Sequence, residues 1–358
     1  MLWFPQSHLY RRLPLYVNRV HCVVAKVRKT SVVLIGIFAT RRWSELRLCV
    51  LVLMIMAIFL GGSNIAAAWT EREVVSGQLH GTLTLPKGAG QVSAALILPG
   101  SGPVDRNGNL PNGNNDSLKL VAHAFAERHI ATLRIDKRGI GDSAAAALQE
   151  DDLRFDTYVD DAIGWLKVLQ DEPRVDAIYL VGHSEGALVA TLVAQKADVA
   201  GVVLLAGAGE PAGKLIGRQL TASELPISLK NRSDEILASL IHGQHVADIP
   251  PELAALYRPS VQNYLISWLP LDPVRELAKL SCPILIVQGT ADLQISMDDA
   301  KRLAAASPTT RLVAVEGMNH VLKSTPLERS ENLLSYNNPD LPLADALVPA
   351  IADFIGAP

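Results

Sequence analysis

Cysteine is scarce in this chain: three among 358 residues, at Cys22, Cys49 and Cys282, with no Cys-x-x-Cys pair. The usual spacings of a structural zinc site or a redox dithiol are therefore missing. No two histidines and a carboxylate fall at metal-ligand spacing either, so neither a metal nor a cofactor is expected. Charge is modest, at 19% with a net value of -3, and aromatic residues make up 5%. No basic stretch carries the interleaved aromatics of a nucleic-acid groove, and a nucleic-acid partner is not expected. No Walker sequence occurs, and Gly207-Ala208-Gly209 lacks the third glycine of a dinucleotide fingerprint. Repeats and low-complexity tracts are absent too. What remains is a chain that is 49% hydrophobic, a composition that suits a globular core rather than disorder.

A long apolar run is also lacking. The longest, 48–60, falls short of the ~20 residues a membrane-spanning helix needs. Arg41, Arg42 and Arg47 precede it, and Ala66-Ala67-Ala68 follow. Positive flank, short apolar core and small-residue site together read as a secretory signal, cut after Ala68. Some forty residues stand ahead of it. Either the true start lies downstream of Met1, or the extension keeps the segment as an uncleaved anchor, which would be the one membrane contact. Thr40-Arg41-Arg42-Trp43 partly matches a twin-arginine signal, but Ser44-Glu45 stand where an apolar pair belongs. The expectation is export, to the periplasm or beyond. Cleavage leaves Cys282 as the lone cysteine, a small buried hydrophobe at the start of a strand, with no internal disulfide to form.

Beyond residue 68 the hydrophobic pattern changes period repeatedly. Segment 74–85 reads as a hairpin, and 94–98 is a continuous apolar run of the kind buried on both faces of a parallel sheet. Helix 117–128, strand 131–135, helix 158–169, strand 178–181, helix 188–197 and strand 199–205 follow in alternation. That order implies a doubly wound, mostly parallel sheet. The alternation breaks over 210–280, where helical pieces at 215–222, 233–241, 251–257 and 261–268 are punctuated by prolines. Flanked by sheet strands, this stretch is expected to project from the sheet edge as a helical cap. Strand 283–287, helix 297–306, strand 311–315 and helix 343–355 complete the chain. The expected division is an N-terminal segment at 1–68, a core in two parts at 69–209 and 281–358, and the cap at 210–280.

The chemistry centres on Gly182-His183-Ser184-Glu185-Gly186, which joins a strand to a helix. A Gly-x-Ser-x-Gly turn in that context lifts the serine hydroxyl clear of the sheet edge, and glycine fits two residues either side because backbone passes close by. Serine is a weak nucleophile and needs a base, which needs an orienting acid. Two loops at the carboxyl ends of later strands supply them: Gln288-Gly289-Thr290-Ala291-Asp292 and Glu316-Gly317-Met318-Asn319-His320. Asp292 is assigned as the acid and His320 as the base; Asp298 and Asp299, at a helix start, are weaker alternatives better explained as caps. His183 is expected to pack or hydrogen-bond near the elbow, pointing away from the serine hydroxyl. His123 and His129 fall beside a flanking helix, and His242 and His245 in the cap. An oxyanion needs two amide donors. Glu185 should give one, and Ser101 in Pro99-Gly100-Ser101-Gly102 the other, with Gly102 close behind.

On these motifs the chain resembles an α/β-hydrolase from about Glu73 onward. Asp136-Lys137-Arg138-Gly139-Ile140-Gly141-Asp142-Ser143 is similar to the Asp-x-Arg-Gly-x-Gly-x-Ser loop of that family. Leu98-Pro99-Gly100-Ser101-Gly102-Pro103 stands where many members have His-Gly, with proline replacing the histidine. Gly100 to Arg106 is similar to esterases near the serine-aminopeptidase-like and dienelactone-hydrolase-like branches. The resemblance implies an acyl-enzyme hydrolase of small-molecule carboxylic esters with a helical cap; a peptidase or acyltransferase with the same residues, and a non-catalytic binding protein, are the alternatives. Trp268, Tyr257, Tyr264 and Leu265 offer the cap apolar surface, and Arg218 and Arg258 offer it charge. Arg106 is expected either to meet a substrate carboxylate or to pair with Asp105.

Overall fold

The computed structural model describes residues 68–356. The expected secretory signal, Cys22 and Cys49 lie outside these residues, as does the expected cleavage motif except for Ala68. Within them runs an eight-stranded sheet in the order β1-β2-β4-β3-β5-β6-β7-β8. β1 (Trp69–Ser76) and β2 (Leu79–Pro86) form the expected hairpin, and β2 lies antiparallel to β4 (Ala131–Ile135). From there across β3 (Val92–Leu98), β5 (Val175–His183), β6 (Gly201–Leu205), β7 (Ile284–Gly289) and β8 (Thr310–Val315), every pairing is parallel.

The continuous apolar runs are explained by burial on both sides. In β3, Ala94, Leu96 and Leu98 face one cluster of core residues while Ala95 and Ile97 face the other. In β7, Ile284 and Ile286 divide from Leu285 and Val287 in the same way. Successive side chains of a strand point to opposite faces, so a doubly covered sheet has no place for polar alternation. Helices α1 (Ser117–Glu127) and α11 (Leu347–Ile355) cover one face with Phe125, Leu347 and Ile351. Helices α2 (Phe155–Gln170) and α3 (Glu185–Ala194) cover the other with Phe155, Trp165 and Val189. Fully burying one such large side chain contributes roughly 1.5–3 kcal/mol.

Between β6 and β7 the chain leaves the sheet. It forms α4 (Ala212–Thr221), α5 (Ile227–Ile241), α6 (Ala254–Tyr257), α7 (Gln262–Trp268) and α8 (Pro273–Leu277). Proline opens or precedes several of these, where its missing amide hydrogen costs nothing. Helices α9 (Met297–Ala304) and α10 (Arg329–Leu334) complete the set. The strand order reverses direction at β3: β4 lies on one side of it and β5 to β8 run away on the other. A crevice opens at such a switch point, outside the carboxyl ends of the strands. The loops that leave β3 and β5 face each other there.

Candidate active site

β5 ends at His183, and Ser184 takes φ 55° and ψ −117° before α3 begins at Glu185. A non-glycine residue at positive φ stores about 1–3 kcal/mol, and it persists only where the surroundings fix it. They do: the Ser184 amide donates to the Leu205 carbonyl at 2.8 Å, tying the turn to β6. A Cβ on Gly182 would sit 2.1 Å from the Gly186 carbonyl oxygen, and one on Gly186 would sit 2.3 Å from that of Leu98. Both glycines of the motif are thus demanded by close backbone approach, the first across the turn and the second against β3.

Asp292 and His320 meet from neighbouring loops. His320 Nδ1 donates to Asp292 Oδ2 at 2.9 Å, and both side chains are buried. This fixes the tautomer, leaving Nε2 as the acceptor. The other Asp292 oxygen takes the Gln294 amide at 2.7 Å and the Ile295 amide at 3.0 Å. Burial alone would raise the Asp292 pKa, but His320 and these two amides outweigh it and hold the carboxyl below its ordinary value. The two loops are pressed together at Gly289, where a Cβ would fall 1.9 Å from the Met318 carbonyl oxygen. Ser184 and His320 line one cleft together with Gly100 and Ser101. Asp299 instead closes a capping box with Ser296 and pairs with Arg218. Asp298 sits exposed in the first turn of α9 beside Lys301.

His183 turns beneath the base rather than toward the serine. Its Nε2 donates to the His320 carbonyl at 2.8 Å, and the two rings lie 4.9 Å apart. Burial and the neighbouring His320 push its pKa down to about 3, so it is a neutral strut. Elsewhere among the described residues, His123 pairs with Glu71 at 3.0 Å, and His245 with Asn263 at 2.8 Å.

For the amide donors, Glu185 is the first residue of α3, so its N–H has no partner within the helix and points with the positive end of the helix dipole. The Ser101 N–H is absent from the backbone hydrogen bonds among the described residues. Gly102 at φ 80° shapes the turn that follows, and it joins Ser101 and Trp268 around a second cleft of about 1730 Å³, counted with its open mouth.

Arg106 departs from both of its expected roles. Its guanidinium bonds Asp136 (Nη2–Oδ2 2.6 Å), Asp142 (2.6 Å) and Thr82 (3.1 Å), and it is nearly buried. The Asp105 carboxylate accepts the amides of Asn107 and Asn109 instead. The reason lies in the Asp136–Ser143 loop, whose carboxylate needs a buried cation. Arg106 is a brace for that loop and makes no contact with the clefts beside Ser184.

Sequence reading missed a polar group under the elbow. Lys137 Nζ donates to the Gly100 carbonyl at 2.8 Å, lies 3.5 Å from Glu185 Oε1 and stands 4.9 Å over the Tyr158 ring. The Tyr264 hydroxyl of α7 donates to the other Glu185 oxygen at 2.8 Å. Burial lowers the Lys137 pKa against the pull of Glu185, and burial with the Glu185 charge raises that of Tyr264. Lys137 sits inside the Asp136–Ser143 motif, but nothing in the motif says where its ammonium reaches.

Residues 95–333 match the model of the Alpha/beta hydrolase family. The chain belongs to that family. It is 25% identical over 272 residues to Esterase EstD of Thermotoga maritima, covering 73% of this chain and 63% of that relative. Among solved structures it resembles Est1E from Butyrivibrio proteoclasticus, with a TM-score of 0.52, 16% identity, and 80% and 97% of the two chains covered. DcsB in complex with its substrate analogue matches with a TM-score of 0.51, 17% identity, and 80% and 99% coverage. At those identities the two structures speak to the fold alone.

Proposed function

We propose that the protein is an exported serine esterase that cleaves carboxylic esters through an acyl-enzyme on Ser184. The observation that carries this reading is the buried Asp292–His320 pair, whose histidine lines the same cleft as Ser184. Ser184 attacks the acyl carbon as His320 Nε2 takes its proton, and Asp292 supports the imidazolium that forms. The oxyanion accepts hydrogen bonds from the Glu185 and Ser101 amides. His320 returns the proton to the leaving alcohol, and water repeats the sequence to release the acid.

The cleft walls favour an ester over a peptide with a free amine. An aminopeptidase needs open carboxylates to hold the substrate's ammonium, and Glu185, Asp105 and Glu210 are the acids near enough in sequence. Glu185 is occupied by Lys137 and Tyr264, Asp105 by two amides, and Glu210 by Arg218 and Arg302. The cations are likewise engaged: Arg138 with Asp161, and Arg258 with Glu150. What remains in the larger cleft is apolar surface from Leu148, Leu256, Leu265 and Trp268, which suits a neutral hydrophobic substrate. The likeness to an esterase supports this reading, and Est1E has been solved with ferulic acid bound.

The test uses protein beginning at Trp69. Short p-nitrophenyl acyl esters should be hydrolysed, and a fluorophosphonate probe should attach at Ser184. Labelling that persists unchanged in Ser184→Ala would overturn the assignment. Export is tested separately by expressing the full chain and sequencing the N-terminus of the periplasmic product, expected at Trp69; retention in the cytoplasm would refute it.

A further inference from the structure

Lys137 stands out among the buried groups that the reaction does not touch. A buried ammonium carries a desolvation cost that a leucine of similar size would avoid. Lys137 uses its donors in three directions, toward the Gly100 carbonyl, the Glu185 carboxylate and the face of Tyr158. The first of these has a geometric consequence. The Gly100 carbonyl and the Ser101 N–H belong to one peptide unit, and the described chain contains no cis bond. In a trans peptide the two groups point in opposite directions across a rigid plane. Fixing the carbonyl on Lys137 therefore turns the Ser101 N–H the other way. That amide forms no other backbone bond among the described residues, and Ser101 lines both cavities that Ser184 lines. Gly100 itself lies against the serine, since a Cβ built on it would sit 3.2 Å from Ser184 Cβ.

We propose that Lys137 is a positioning residue that sets the orientation of the Gly100–Ser101 peptide and so holds the Ser101 amide ready as the second oxyanion donor. This rests on the esterase reading of Ser184. A charge-assisted hydrogen bond on the carbonyl also polarises the peptide and makes its N–H a stronger donor. Glu185 joins the two donors, because its amide is the first and its carboxylate helps hold Lys137. Tyr264 extends the group to the inserted helices. Proline at position 99, where a histidine often stands in the family, has no amide hydrogen for orienting this loop. Lys137 supplies the restraint from the side instead.

The test compares Lys137→Met with Lys137→Met/Glu185→Gln, the second leaving no buried charge unpaired if the first folds poorly. For p-nitrophenyl butyrate we expect kcat to fall about 10²-fold in both, with KM within about 2-fold, since losing one donor costs ~10²–10³. The wild type should also lose much more rate than either variant when the ester carbonyl oxygen is replaced by sulfur, a poorer acceptor. Recovery of kcat in the double variant would show that Lys137 only balances Glu185, and would overturn the proposal. A crystal structure of either variant gives a readout independent of turnover. The Gly100 carbonyl should rotate out of its present direction, and an unchanged peptide would refute the inference. Survival of hydrolysis in Ser184→Ala would instead defeat the reading of the site, while the crystallographic result still decides the role of Lys137.

Discussion

The carboxyl edge of the sheet and the helical segment at 212–277 meet at the same cleft, yet they are built on different terms. At the sheet edge Ser184 and Asp292 are held by backbone. Ser184 is locked by its bond to Leu205 and by two glycines with no room for a side chain, and Asp292 by two amides of its own loop. In the inserted segment the residues that face the cleft are held by side-chain packing. Trp268 stacks on Phe155 at 5.9 Å, and Tyr264 meets Tyr158 edge-on at 5.9 Å. The edge fixes the position of single groups, while the inserted helices shape a volume.

This difference should appear first in the size of mutational effects. Asp292→Asn keeps the shape of the edge but removes the carboxylate that orients His320, so kcat should fall by about 10⁴ with little change in KM. A steady-state comparison on one ester decides it, and a loss confined to KM would contradict the picture. Arg106→Ala touches the edge from behind. It strands the buried Asp136 carboxylate and should cost about 3–5 kcal/mol of stability in urea unfolding. The folded fraction should keep an unaltered KM, and a substrate-dependent KM would restore Arg106 to the binding site. Trp268→Ala belongs to the other region. It should shift the ratio of kcat/KM between long-chain and short-chain esters by about tenfold, leaving acetate esters nearly unchanged, as expected for a wall of a hydrophobic pocket. A uniform loss on all chain lengths would mean that the inserted helices also hold the reacting groups.

The smallest effect concerns His183. Its folded pKa, about 3, lies below the ordinary 6.5, so the unfolded chain binds more protons than the native one throughout that interval. Stability present above pH 6.5 is then lost as pH falls toward 3, on the order of 1 kcal/mol per pH unit from this group. His183→Asn removes the titration while keeping a donor for the His320 carbonyl. It should flatten the urea midpoint between pH 6.5 and 4.5. An unchanged slope would place the acid sensitivity elsewhere.

The same contrast explains what could be read in advance. The order of strands and helices, the elbow, and the loops carrying Asp292 and His320 were legible because each depends on neighbours in sequence: apolar runs, turn glycines and strand ends. Four of the inserted helices fall within several residues of the segments the sequence suggests, but the inserted α8 at Pro273–Leu277 and, after β8, α10 at Arg329–Leu334 carry no such signal. Both are short and carry no clear apolar period. The partners of charged groups were least legible. Arg106 finds Asp136 thirty residues on, and Lys137 finds Gly100 in the loop after β3 and Glu185 at the start of α3. Ion pairs between residues this far apart follow from the fold, and no local pattern encodes them.

The first strand has a consequence for how copies of this molecule behave when concentrated. Among the described residues β1 is an edge of the sheet, paired only with β2. Such an edge invites a second copy to extend the sheet. Its centre reads Glu71-Arg72-Glu73. A two-fold antiparallel pairing centred there would set Arg72 against Arg72 and Glu71 against Glu73, like charge facing like. Edge-to-edge pairing through β1 is thus opposed by three residues, at one of the two edges of the sheet, the other being β8.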